Sequence, residues 1–312
     1  IMNKFRTVLQ HDFFNFLEES HFSVEYEDVG AHFQYNKALN QLTIELSSKG
    51  KNKSDFEEEF ERIFLLLFLM MGSCPYIKLI SFNDEESDLE TLTRRYTTHK
   101  YYHDLQFRIC APCSKNITGS LLSEFKSITL PDRVSILSFY LLQILVSKEY
   151  EENVFIAHRL TLLLHAIDGM ITKQQGFFKE EITEQIIEEW PEMKQNKIGD
   201  FFPKLYYLCS ETIFLYEDRC KILKVLGKDK KGFLDTLVDT RHFYSHMLPL
   251  NERKKRLREG KDIRVYFDIL FYSLRLYWLK KMDVNLDDRV IINTYSVFHD
   301  WFVDIEKIKD EP

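Results

Sequence analysis

The chain has 312 residues and carries 42 Lys/Arg against 49 Asp/Glu, a net charge of −7. Apolar residues make up 45%, while Gly (10) and Pro (7) are scarce, which excludes a disordered or collagen-like chain and leaves room for two folded domains of ~100–200 residues each. The acidic total argues against a protein that is basic over its whole surface, as general nucleic-acid binders are.

The opening residues, IMNKFRTVLQHDFFNF, lack an apolar signal core and a small-residue cleavage site, so no leader peptide is expected. Residues 22–36 and 38–48 alternate apolar and polar side chains and predict a pair of strands. A helix follows. Ser54 with Glu57 three residues on predicts its capping box, the acidic run DFEEEFE suits the positive end of its dipole, and Gly72 predicts its stop. Its core, Ile63 to Met71, is nine apolar residues against the ~20 needed to span a bilayer, so a buried core helix is expected and no membrane contact. Residues 75–82 and 100–110 predict further strands.

From about Asn153 the spacing of apolar residues is helical throughout. Helices are expected over 154–171, 179–190, 201–227, 232–247, 262–282 and 290–308, with the third closing at Gly227. The polar stretch SKEYEENV (147–154) divides the chain. The expectation is an α+β domain over 1–149 followed by an all-α helical bundle over 150–312.

The five cysteines, Cys74, Cys110, Cys113, Cys209 and Cys220, are odd in number and point to free thiols in a reducing cytoplasm. Cys110 and Cys113 form C-x-x-C, and with His99 and His103 they offer a four-ligand zinc alternative. The spacing lacks the long spacer between ligand pairs usual in such sites, so two ordinary thiols are the default and no metal or cofactor is assigned. His158 and His165 sit on an apolar helix, where packing roles are expected. Asp168, near the end of that helix, is either a local cap or a carboxylate that orients a catalytic partner.

The segment VDTRHFYSHM (238–247) holds Arg241, His242 and His246. Arginine binds phosphate through a fixed fork of donors, and histidine exchanges protons near neutrality. Together they can act on a ribose 2′-OH and its phosphate without a metal. An arginine followed by a histidine after four to six residues occurs four times in this chain, at Arg6…His11, Arg94…His99, Arg159…His165 and Arg241…His246, so spacing alone decides nothing. Context singles out the last. His242 and His246 are four apart and share a helix face, with Arg241 and Ser245 in the next row. Phe243 and Tyr244 offer packing or base-stacking surface. Between Lys221 and Arg264 there are 13 Lys/Arg against 6 Asp/Glu, a basic bracket that fits phosphate. Lys230, Lys231, Arg253, Lys254, Lys255 and Arg256 are therefore candidate substrate contacts, beside Tyr244 and Ser245.

LVDTRHFYSHM resembles the signature of the HEPN (higher eukaryote and prokaryote nucleotide-binding) superfamily and is closest to its Apea-like group. There, a helix ends in threonine, arginine, a polar residue, two aromatics, a small hydroxyl residue and histidine. His242 stands where that family usually has Asn, and Asp168 where Glu is expected. The resemblance covers roughly residues 150–312, and the α+β half is similar in style to domains that precede such modules, which implies a sensor or regulator role for residues 1–149. It implies an all-α domain that dimerises, so that two motifs face one cleft, and that acts as a metal-independent endoribonuclease. By position, Arg241 would stabilise the phosphoryl oxygens, His246 would act as general acid/base, and His242 would orient or relay protons. The products would be a 2′,3′-cyclic phosphate and a 5′-OH. Such proteins serve as toxins in prokaryotic antiviral defence, cutting tRNA or other host RNA. A non-catalytic HEPN module for dimerisation or nucleotide binding, and a zinc-stabilised interaction protein, are the alternatives.

Overall fold

The computed structural model describes residues 2–10, 14, 19–72, 75–86, 109–128, 153–172, 177–193, 198–246, 255–257 and 260–309. The chain divides into two compact units, one of residues 1–146 with 278–287 and one of residues 147–277 with 288–312.

The first unit is α+β. Its strands are β1 (Asn3–Gln10), β2 (His21–Tyr26), β3 (Val29–Asn36), β4 (Gln41–Ser48), β5 (Tyr76–Phe82) and the short β6 (Glu85–Glu86). They form one antiparallel sheet in the order β2-β3-β4-β1-β5-β6. The period-2 pattern sends Phe5, Thr7 and Leu9 of β1 and Leu42, Ile44 and Leu46 of β4 to one buried face, while the intervening Lys4 and Arg6 are exposed.

Residues 22–36 are not one strand, as the alternation suggested, but a hairpin. Tyr26 pairs with Val29 across Glu27 and Asp28, and Glu27 takes φ 49°. The sequence carries the break: the buried positions step by two through Phe22, Val24 and Tyr26, then by three to Val29. The stretch 100–108 lies outside the described residues, and Ile109 and Cys110 belong to no strand.

Helix α1 (Lys53–Met71) lies along the sheet's apolar face, with Phe56 and Phe60 6.3 and 5.8 Å from Phe5 between ring centroids. Its cap is Asn52 rather than Ser54. The Asn52 side chain accepts from the Asp55 amide at 3.2 Å, and Asp55 accepts from the Asn52 amide at 2.8 Å, the same reciprocal bond two residues earlier. Gly72 ends the helix at φ 82°, a left-handed turn that costs glycine little. Every residue from Ile63 to Met71 is buried, as a helix apolar on all sides must be. Among the described residues no helix is long and apolar enough to cross a membrane. Helix α2 (Gly119–Ile128) approaches β2 so closely that a Cβ on Gly119 would meet the Glu25 carbonyl oxygen at 2.3 Å.

The second unit is helical: α3 (Asn153–Thr172), α4 (Lys179–Glu189), α5 (Phe201–Ser210), α6 (Ile213–Cys220), α7 (Ile222–Val225), α8 (Lys230–His246), α9 (Gly260–Lys281, whose residues from Trp278 on fall in the first unit) and α10 (Asp288–Lys309). The single helix expected over 201–227 is three. Thr212 breaks it first, with a non-helical backbone at φ −132° and ψ −99°, and Lys221 breaks it again in a left-handed conformation at φ 52°. Gly227, at φ 62°, closes the run. Helices α3, α5 and α8 pack on one another. On α8, Phe233, Leu234, Thr236, Leu237 and Thr240 are buried, a stripe at helical spacing that fixes which residues face outward.

Candidate functional site

The burial stripe of α8 leaves Arg241, His242 and Ser245 half-buried at its border and His246 exposed. Two rungs tie this border to α3. Arg241 Nη2 donates to Asp168 Oδ2 at 2.6 Å, and Ser245 Oγ lies 2.9 Å from His165 Nε2. A step of three back along α3 matches a step of four forward along α8, as two antiparallel helices require.

The first rung extends further. Lys204 Nζ of α5 donates to Asp168 Oδ1 at 2.5 Å, so one carboxylate bridges two cations and the cluster keeps a net positive charge. The Arg241 guanidinium also lies over the Phe201 ring, 4.5 Å from its centroid, within cation–π range. Its Nε is buried without a hydrogen-bond partner, a donor of the kind an anion satisfies.

The second rung carries an electrostatic consequence. Burial, reinforced by the Arg241 charge and by His158 and His246, pushes the His165 pKa below its ordinary 6.5 against the opposing pull of Asp168. His165 is thus neutral near pH 7. Beside it, the rings of His242 and His246 sit 4.6 Å apart at 57°, the outcome of their i, i+4 spacing. The turn therefore gathers a guanidinium, a hydroxyl and three imidazoles.

The other sequence-predicted residues divide. Tyr244 is half-buried, and burial raises its phenol above the ordinary pKa of 10. It meets Phe243 edge-on at 5.0 Å. Arg256 is buried, with its guanidinium 4.1 Å from the Phe243 centroid. It therefore packs under the motif. The segment that carries it is pinned by the Leu257 amide, which donates to Thr240 Oγ1 at 3.0 Å. Lys255 pairs with Asp235 at 2.6 Å. Lys230 and Lys231 stand at the opposite end of α8, ~15 Å from Arg241 at 1.5 Å per residue. They pair with Glu189 and Glu192 at 3.4 and 3.1 Å, so the helix does not bring them to the histidines. Arg253 and Lys254 lie outside the described residues.

The zinc alternative divides in the same way. His99 and His103 lie outside the described residues. Neither Cys110 nor Cys113 is in a disulfide. Asn116 donates to the Cys113 sulfur at 3.6 Å, and Tyr35 donates to the Pro112 carbonyl. Among the described residues no group of three or more His, Cys, Asp or Glu is arranged to hold a metal.

Three residues escaped sequence reasoning. His165 was expected to be a packing residue and instead reaches Ser245. Its one signal was its place three residues before Asp168, on the same helix face. Lys204 and Phe201 come from α5, and nothing local in the sequence links them to the motif. Comparison with family models, with curated proteins and with solved structures finds no match to this chain.

Proposed function

We propose that the helical unit is a metal-independent endoribonuclease of the HEPN kind. The observation that carries this reading is the joining of Arg241, anchored by Asp168, to the adjacent rings of His242 and His246 on one helical turn. In this reading Arg241 and the surplus positive charge of the Lys204–Asp168–Arg241 cluster bind the phosphodiester. The ribose 2′-OH attacks phosphorus and gives its proton to an imidazole, with His246 as the exposed acid/base group. The 5′-oxygen leaves and takes a proton, giving a 2′,3′-cyclic phosphate and a 5′-OH. His242 orients His246 or relays its proton. His165, kept neutral, holds Ser245 and with it the last turn of α8.

The wider reading follows the resemblance: two copies pair so that their motifs share a cleft, the substrate is tRNA or another host RNA, and the α+β unit regulates a toxin of cytoplasmic antiviral defence. One observation favours the non-catalytic alternative, the capture of Arg241 by Asp168, which would let the arginine serve packing alone. RNA cleavage with and without EDTA separates the two. The ribonuclease reading predicts EDTA-resistant cleavage that is lost in both Arg241→Ala and His246→Ala. Full activity in His246→Ala would sink it.

A further inference from the structure

A cavity of about 470 Å³ opens in the helical unit beside Arg241. Its walls include Asp200, Phe201 and Phe202 around the start of α5, and Asp235, Val238 and Arg241 on one face of α8. The last three are spaced i, i+3 and i+6, so they line one strip of the helix.

The lining has a definite chemical character. Phe201, Phe202 and Val238 give apolar walls, and Phe201 is already engaged by a planar cation on one face. The polar edge carries carboxylates. Asp235 accepts one bond from Lys255, and Asp200 accepts one from Lys179. The Lys179 ammonium holds the Asp200 carboxyl below the usual carboxylate range, so it accepts hydrogen bonds only. A carboxylate has about four lone-pair sites, and one lysine leaves acceptors open on each. With Asp168, three carboxylates line the cavity and repel a phosphate inside it, which leaves Arg241 as the phosphate-facing group at its border. A flat apolar body with N–H donors along its edge is the complementary ligand. Adenine, guanine and cytosine each present an exocyclic amino group, whereas uracil presents two carbonyl acceptors and a single N–H.

We propose that this cavity holds the base adjoining the cleaved phosphate and selects bases with an exocyclic amino group over uracil. The proposal rests on the ribonuclease reading for its account of the phosphate, but not for the binding itself. The test is calorimetric titration of the full chain with two nucleotide pairs that differ at the amino group: GMP against IMP, and CMP against UMP. A hydrogen bond to a charged acceptor predicts roughly tenfold or greater preference for GMP over IMP and for CMP over UMP. Val238→Trp fills the cavity and should abolish that preference with the circular dichroism spectrum unchanged; Val238→Met serves if the larger residue disturbs folding. Equal affinities within both pairs, or no binding of any of the four, overturns the proposal. Mapping the cut positions in an unstructured RNA separates the two levels. Cutting with no base preference removes the base site and leaves the ribonuclease, whereas nucleotide discrimination without cutting leaves the base site and removes the ribonuclease.

Discussion

Asp168→Asn tests the bridge that organises the site. The side chain is only 25% exposed and accepts from Lys204 at 2.5 Å and Arg241 at 2.6 Å. Asparagine keeps the volume and one acceptor, but it turns an NH2 group toward one of the two cations. Exposed ion pairs contribute about 0–1 kcal/mol, whereas breaking a buried pair costs about 3–5 kcal/mol. At a quarter exposure the expected cost falls between, about 2 kcal/mol. For a unit of this size, about 2–4 °C per kcal/mol translates this into a midpoint lower by roughly 4–8 °C. Thermal unfolding followed by circular dichroism reads it. A double-mutant cycle with Arg241→Ala should show coupling of about 0.5–3 kcal/mol, because the residues are in contact. RNA cleavage should also fall, since the guanidinium loses its anchor. An unchanged midpoint together with strict additivity in the cycle would refute the claim that Asp168 holds Arg241 in place.

Three further outcomes are expected. His165 has a folded pKa depressed below 6.5, so the folded state resists its protonation. Its stability contribution is full above pH 6.5 and is lost as pH falls through the folded value. His165→Asn should therefore flatten the loss of thermal stability between pH 7.5 and 5, and an unchanged slope would show that His165 is not the group responsible. Gly119→Ala should lower the melting midpoint of the full chain, because its Cβ meets the backbone oxygen of Glu25 and overpacking of this kind costs about 1–3 kcal/mol; a neutral result would mean that α2 does not sit against β2 as described. Dialysis against EDTA should leave the midpoint unchanged if Cys110 and Cys113 are plain thiols, and a drop that zinc restores would revive the zinc alternative.

Much of the architecture was legible because burial and periodicity are local. The helices α3, α4, α8, α9 and α10 announce themselves by apolar spacing, and the Gly72 stop by conformational preference. The misreadings came from competition between near-equal signals. Asn52 with Asp55 and Ser54 with Glu57 offer the same capping chemistry two residues apart, and the fold uses the earlier pair. Helical apolar spacing across 201–227 hid the breaks at Thr212 and Lys221, which rest on single residues with non-helical backbone, Lys221 in the left-handed region. β1 went unread, although Phe5, Thr7 and Leu9 alternate within it. At the site, the row of Arg241, His242, Ser245 and His246 follows from helix geometry alone. Asp168, Lys204 and His165 reach it through tertiary packing between helices distant in sequence, which no spacing rule reports. The basic bracket shows the same limit of local reading: Lys230, Lys231 and Lys255 are close to the motif in sequence, yet each has an acidic partner brought by the fold, and Arg256 packs against an aromatic ring.

The measurement that bears most directly on the central claim is the identity of the RNA ends produced by the purified full chain in excess EDTA. The account predicts 2′,3′-cyclic phosphate and 5′-OH termini from the wild type and none from His246→Ala or Arg241→Ala. Products bearing 5′-phosphate, or cleavage that EDTA abolishes, would contradict it.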